Sequence, residues 1–133
     1  MMSTTFKPNG YNAVSPYFVV NDAQKFISVL ATIFDTEELR RFDRPDGTIM
    51  HAEMRIYDSV IMISEASSAF PSNNLLMHVY VPDVHTTFKK ALDAGCVAIE
   101  NPVQKDGDPD IRGMFKDFAD NVWAISTQVS VGE

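Results

Sequence analysis

Residues 58–64 read DSVIMIS, and 62 positions later residues 120–126 read DNVWAIS. A second echo lies upstream of each. Residues 17–22 read YFVVND and residues 78–83 read HVYVPD, 61 positions apart. Near-equal spacings at opposite ends of a unit point to a duplicated module of about 60 residues. Both upstream segments end in a turn-like pair, Asn21-Asp22 and Pro82-Asp83, where a helix can begin.

The elements repeat in the same order. Val14 to Val20 is β-rich and mostly apolar, the composition of a buried strand. After Asp22, the residues Ala23, Phe26, Ile27, Leu30 and Phe34 fall at helical spacing, one stripe on one face. The stretch TEELRRFDRPDG ends in the strong turn Pro45-Asp46-Gly47. TIMHAEMRIYDS then alternates, with Met50, Ala52, Met54 and Ile56 on one side and His51, Glu53, Arg55 and Tyr57 on the other. Asp58-Ser59 turns the chain, and Val60 to Ser64 returns as the last strand. The first half therefore reads β-α-β-β-β. In the second half, Leu75 to Val81 is the first strand, and Asp83 starts a helix carrying Val84, Phe88, Ala91 and Leu92. Gly95 stops that helix. Strands follow at Cys96 to Val103, Ile111 to Lys116 and Asn121 to Gln128, separated by the polar loop KDGDPD and a turn at Asp117 to Asp120. The two halves are joined by ASSAFPSNN, a Ser/Asn/Pro linker that reads as a hinge or a lid.

Composition bounds the function. At 133 residues with 45% hydrophobic content, the chain is long enough to bury a core and is not of disordered composition. A net charge of −7 repels phosphate backbones, so no nucleic-acid partner is expected. No apolar run approaches the roughly 18 residues of a membrane span, so no membrane partner is expected. The N-terminus, MMSTTFKPNGYN, lacks the features of a signal peptide. Cys96 is the single cysteine, which excludes an intrachain disulfide and suits a reducing, cytoplasmic setting.

Paired βαβββ modules resemble the vicinal oxygen chelate superfamily, which includes glyoxalase I, ring-cleaving dioxygenases and bleomycin-resistance proteins. SPYFVVNDA, PDGTIMHAEMRIYDSVIMIS, LLMHVYVPDV, LDAGC and DFADNVWAIST are similar to its glyoxalase/bleomycin-resistance family, PhnB-like branch. The resemblance covers about residues 12–129. It implies an α+β fold in a single domain over 1–133, with module 1 at about 12–66, a linker at 66–74 and module 2 at about 75–129. Each module would curl into a half-barrel, with helices outside and a ligand cavity enclosed. Homodimers are common in that family and are expected here.

The resemblance also implies where a divalent metal would sit, on the first and last strand of each module. Those positions read Ser15, Met62, Leu76 and Ala124. A thioether is too soft for the hard ions such sites hold, and Leu and Ala offer no donor. No metal cofactor is therefore expected there. A displaced site is the alternative. His78 lies two residues beyond Leu76 and shares its face, with Tyr17 as its counterpart in the first module. His51 and Glu53 share the face opposite Met50, Ala52 and Met54. These four side chains could bind a metal, serve as acid, base and hydrogen-bond donor, or make only structural hydrogen bonds.

Other residues read more plainly. Trp123 is expected to anchor the core or an interface. Phe115 and Phe118 flank the turn before the last strand, where the family closes its pocket. In that turn, DFAD lacks the Gly that tolerates positive φ, which puts a tight turn in question. Arg112 could attract an anion or be a surface residue. His85 is expected to be solvated. DGDPD lacks the spacing and closing Glu of an EF-hand and reads as a solvated turn. Cys96 is expected to be buried.

Two functions follow. The first is a metal-free cavity that binds a small organic molecule, lined by Tyr17, His51, Glu53, Met62, Leu76, His78 and Phe115. The alternative is a glyoxalase-type lyase or isomerase acting on a small carbonyl compound, with Glu53 or His78 as the catalytic base and a displaced metal or another means of holding an enolate.

Overall fold

The computed structural model describes residues 5–130. Its elements run β1 (Tyr17–Val20), α1 (Ala23–Ile33), β2 (Thr36–Asp43), β3 (Ile49–Ile56), β4 (Ser59–Glu65), β5 (Leu76–Tyr80), α2 (Val84–Asp93), β6 (Val97–Val103), β7 (Asp110–Lys116) and β8 (Val122–Gln128). This is βαβββ twice, and the expected α+β architecture is present. Two four-stranded sheets result, ordered β1-β4-β3-β2 and β5-β8-β7-β6. In each, the first strand pairs in parallel with the last, and the other pairings are antiparallel.

The opening repeat is thereby explained. DSVIMIS and DNVWAIS contribute β4 and β8, the strands that the first strand of each module pairs with. Their alternating apolar residues are buried on one face, Ile61 and Ile63 in β4 and Trp123 and Ile125 in β8, and Val60 is buried on the opposite face of β4. The charged stretch TEELRRFD forms β2, an edge strand with mostly exposed side chains. Such charge discourages an edge from pairing with another chain.

The chain divides into two compact units. One takes the residues up to Gln24 together with Asp35–Ser72. The other takes Lys25–Phe34 together with the chain from Asn73 onward. Most of α1 thus belongs to the second unit. Phe34 lies against Trp123, with ring centroids 5.4 Å apart, and Phe26 meets Phe118 edge-on at 6.3 Å. Lys25 Nζ sits 4.5 Å from the centre of the Phe118 ring. Phe26 and Leu30 are fully buried, as the apolar stripe requires. The linker over 66–74 runs without helix or strand.

The two helices begin in related ways. Asp83 caps α2, its carboxylate accepting from the backbone N–H groups of His85 and Thr86. The Val84 N–H donates to Thr127 Oγ1 at 2.9 Å. At the repeat-equivalent place, the Glu65 carboxylate accepts the N–H groups of Asp22 and Ala23 at 2.8 and 2.9 Å. Asp22 itself stands at φ 63. α2 ends as expected, with Gly95 at φ 97.

Three details differ from the sequence reading. Met50 is 50% exposed, whereas Ile49 is buried. A register irregularity lies between Phe42 and Asp43, which pair with His51 and Ile49, so Met50 is the extra residue of a bulge. One extra residue reverses the alternation on one side of it. The DFAD turn does form, with Asp120 at φ 66 in the place a Gly would take. Asp and Asn reach this region more readily than other side chains. Finally, the last two acids of DGDPD are not merely solvated, because Asp108 and Asp110 both bind Arg112.

The buried carboxylate of Asp117 holds the turn together. It accepts from the backbone N–H groups of Ala119 and Asn121 at 2.8 and 3.0 Å, and from Trp123 Nε1–H at 2.8 Å. Removing it leaves buried donors unmatched. We expect Asp117→Ala to lower stability by about 2–4 kcal/mol, read by urea unfolding. A loss under 1 kcal/mol would mean the turn is held by its backbone alone.

Candidate functional site

Register fixes which side chains share the first sheet's polar face. Tyr17 pairs with Met62, Met62 with Glu53, and Glu53 with Arg40, so these four form one row across the sheet. His51 and Phe42 pair in the next row toward the sheet edge. The two rows bring Tyr17, His51, Glu53 and Met62 onto one face of the first sheet.

Their hydrogen bonds form a chain. The Tyr11 hydroxyl donates to Glu53 Oε1 at 2.6 Å, and His51 Nε2 lies 2.8 Å from Glu53 Oε2. Tyr17 Oη lies 2.9 Å from His51 Nδ1. Arg40 Nε stands 3.7 Å from Glu53 Oε1. Glu53 is only 5% exposed, while Tyr17, at the other end of the chain, is 38% exposed. Phe42 stacks beside His51 at 6.4 Å and Tyr17 lies tilted against it at 5.7 Å. The Arg40 guanidinium lies 5.5 Å from the centre of the Tyr11 ring.

Charge state sets the direction of these bonds. Burial alone would raise the Glu53 pKa, but the hydrogen bonds from Tyr11 and His51, with the charges of His51 and Arg40, outweigh it. The carboxyl is held below its ordinary value and is ionised at neutral pH. An ionised carboxylate only accepts, so His51 Nε2 carries the proton it shares with Glu53. When the ring carries that proton alone, Nδ1 accepts the Tyr17 O–H; when Nδ1 is protonated too, it donates to the Tyr17 oxygen. The Tyr11 hydroxyl, by contrast, is raised by burial and by its bond to Glu53.

The second sheet carries its own row. His78 pairs with Ala124, Ala124 with Met114, and Met114 with Glu100. His78 occupies in module 2 the place Tyr17 holds in module 1. His78 Nε2 meets Ser126 Oγ at 2.9 Å, and its ring packs edge-on against Tyr80 at 4.7 Å. Arg112 Nη1 donates to Ser126 Oγ at 3.3 Å, and Arg112 is paired with Asp108 at 2.7 Å and Asp110 at 2.8 Å. Tyr80 donates to Asp110 at 2.7 Å. Burial, then the Arg112 charge, lowers the His78 pKa, so the ring is neutral at pH 7. A cavity of about 230 Å³ opens here, lined by Val103, Asp108, Arg112, Met114, Ala124 and Ser126 among others.

Phe115 is 0% exposed and pairs with Trp123 in the buried layer, so it offers a ligand no surface. Leu76 is 68% exposed and its strand partner is Val122 rather than Ala124. Arg112 is already neutralised by two carboxylates, which weakens it as an anion receptor. Trp123 and Cys96 are buried, and burial pushes the Cys96 thiol up to about 11. His85 is exposed. The sequence reading missed Tyr11, Arg40 and Phe42. Arg40 and Phe42 stand two apart on β2, a period that the charged stretch contains but does not advertise. Tyr11 precedes any element, and no periodicity marks it.

The residues present do not fit the divalent metal that the fold family implies. Ser15, Met62, Leu76 and Ala124 supply no set of nitrogen and carboxylate donors. In the displaced set, the His51 ring nitrogens meet Tyr17 and Glu53, and the Glu53 oxygens meet Tyr11 and His51. Among the described residues, no group of three or more His, Cys, Asp or Glu is arranged to hold a metal ion.

Since the folded pKa of Glu53 is depressed, its contribution to stability is present above the unfolded value of about 4.3 and is lost as pH falls through the folded value. Glu53→Gln should therefore cost about 1–3 kcal/mol at pH 7, with the gap from the parent closing below about pH 4. Urea unfolding across that range measures it. A gap independent of pH would show that the charge of Glu53 contributes nothing.

Comparison with known proteins places the fold. No family model matches the chain. The chain is 33% identical over 98 residues to uncharacterized proteins of Mycobacterium bovis and Mycobacterium tuberculosis, matches that take in 65% of this chain. It spans 64% and 58% of those relatives, less than two thirds of their length. Among solved structures it is similar to TioX from Micromonospora sp. ML1, with a TM-score of 0.72 and 19% identity over 88% of this chain and 98% of that one. It is similar to a glyoxalase/bleomycin resistance protein/dioxygenase family enzyme from Burkholderia phytofirmans, with a TM-score of 0.67 and 16% identity over 86% and 95% of the two chains. The fosfomycin resistance protein FosX of Listeria monocytogenes, solved with Mn(II) and sulfate, gives a TM-score of 0.68 and 15% identity over 88% and 90%. The two βαβββ modules, their parallel first-to-last strand pairing and these neighbours together identify the fold as that of the glyoxalase/bleomycin-resistance/dioxygenase proteins, the vicinal oxygen chelate fold.

Proposed function

We propose that the chain is a metal-independent binding protein for a small organic molecule, working in the cytoplasm as a homodimer. The observation that carries this reading is the aromatic and hydrogen-bonding face of the first sheet. Phe42, His51 and Tyr17 present adjacent rings, and the Tyr17 hydroxyl ends a chain of hydrogen bonds anchored on a buried carboxylate. Aromatic and apolar side chains with a few fixed polar groups are what line a small-molecule site. The cavity beside Ser126 and Arg112 gives the second sheet a similar mixture. His78 hydrogen-bonds the Ser126 hydroxyl that lines it. Donors already engaged with one another support a role without a metal.

The glyoxalase-type alternative draws less support. A general base must lie within hydrogen-bond reach of the substrate proton it takes. Glu53 is buried, and its oxygens accept from Tyr11 and His51. No helix among the described residues is long and apolar enough to cross a membrane.

A small organic compound that raises the unfolding temperature in a screen should bind Phe42→Ala or Tyr17→Ala about tenfold more weakly than the parent. Equal affinity for all three proteins would place the ligand elsewhere. Native mass spectrometry should return twice the chain mass with no metal adduct. A metal ion retained at one per chain would overturn the metal-free reading.

A further inference from the structure

Tyr17, His51 and Glu53 repeat, in order and in spacing, the logic of a hydroxyl–imidazole–carboxylate triad. The carboxylate is buried and ionised, and it fixes the imidazole tautomer through Nε2–H. Nδ1 is thereby left to accept the proton of the hydroxyl 2.9 Å away. Tyr17 is the most exposed residue of the three. Nucleophile, base and orienting group stand within hydrogen-bond reach of one another, which is the geometric criterion for an activated nucleophile. Nothing in a purely structural role requires the exposed end of such a chain to be the phenol.

We propose that the Tyr17 phenol is a nucleophile toward the carbonyl carbon of small activated acyl compounds, with His51 as its base and Glu53 and Tyr11 as positioning residues. The proposal rests on the reading that small molecules bind this face. In the step, the Tyr17 oxygen attacks the acyl carbon and forms a new C–O bond. The bond from that carbon to its leaving oxygen or sulfur breaks, and the leaving group departs with the bonding pair. The Tyr17 proton passes to His51 Nδ1, whose imidazolium charge Glu53 balances, and is then released to water. The Tyr11 O–H and the Arg40 guanidinium keep Glu53 in place and ionised.

The test uses p-nitrophenyl acetate on the intact protein. The expected result is a burst of one p-nitrophenolate per chain, with a single acetyl group mapped to Tyr17 by peptide mass spectrometry. Tyr17→Phe should abolish the burst. His51→Ala should slow it about a hundredfold, and added imidazole should restore it, a rescue that a merely structural loss would not show. Acetylation spread over lysines, or falling on Tyr11 rather than Tyr17, overturns the proposal, as does an unchanged rate in His51→Ala. The thermal-shift ligand separates the two readings. A protein that binds it without any burst loses the triad and keeps the binding role. A burst at Tyr17 in a protein that binds no screened compound does the reverse.

Discussion

In each module the first strand lies in parallel beside the last, Tyr17 against Met62 and His78 against Ala124. Two parallel strands need a long crossover, and the helix together with the two intervening strands supplies it. Once that pairing is made, register assigns every later side chain to a face. The polar row Tyr17–Met62–Glu53–Arg40 and its counterpart His78–Ala124–Met114–Glu100 are consequences of it. The repeat in sequence is the trace of this one constraint applied twice.

Buried carboxylates do the fine positioning, and each is matched by donors. Asp117 takes three N–H donors and closes a turn that lacks glycine. Glu53 takes Tyr11 and His51 and orients the first sheet's polar face. A carboxylate taken out of water without such partners would cost several kcal/mol. With them, it becomes a fixed acceptor that dictates how its neighbours point.

The two modules share architecture and differ in chemistry. Where the first places a phenol, an imidazole and a buried carboxylate in line, the second places an imidazole, a serine and an arginine held between two aspartates. The first face is built around one ionised acceptor, the second around a neutralised cation. Duplication supplied two equivalent frames, and each has been filled differently.

The sequence by itself determined the fold. The 61- and 62-residue echoes, the helical stripe after Asp22 and the alternation of β3 all depend on local periodicity, which backbone geometry enforces residue by residue. The same alternation put His51 and Glu53 together, and the counterpart positions of the repeat related Tyr17 to His78. Only the tertiary structure decided the rest. The bulge at Met50, the recruitment of Tyr11, Arg40 and Phe42, the burial of Phe115 and the packing of α1 within the second unit arise from contacts between residues distant in the chain. Which donors reach Glu53 depends on Tyr11 and His51 meeting it in space. That is settled by packing in three dimensions, and no pattern of spacing along the chain records it.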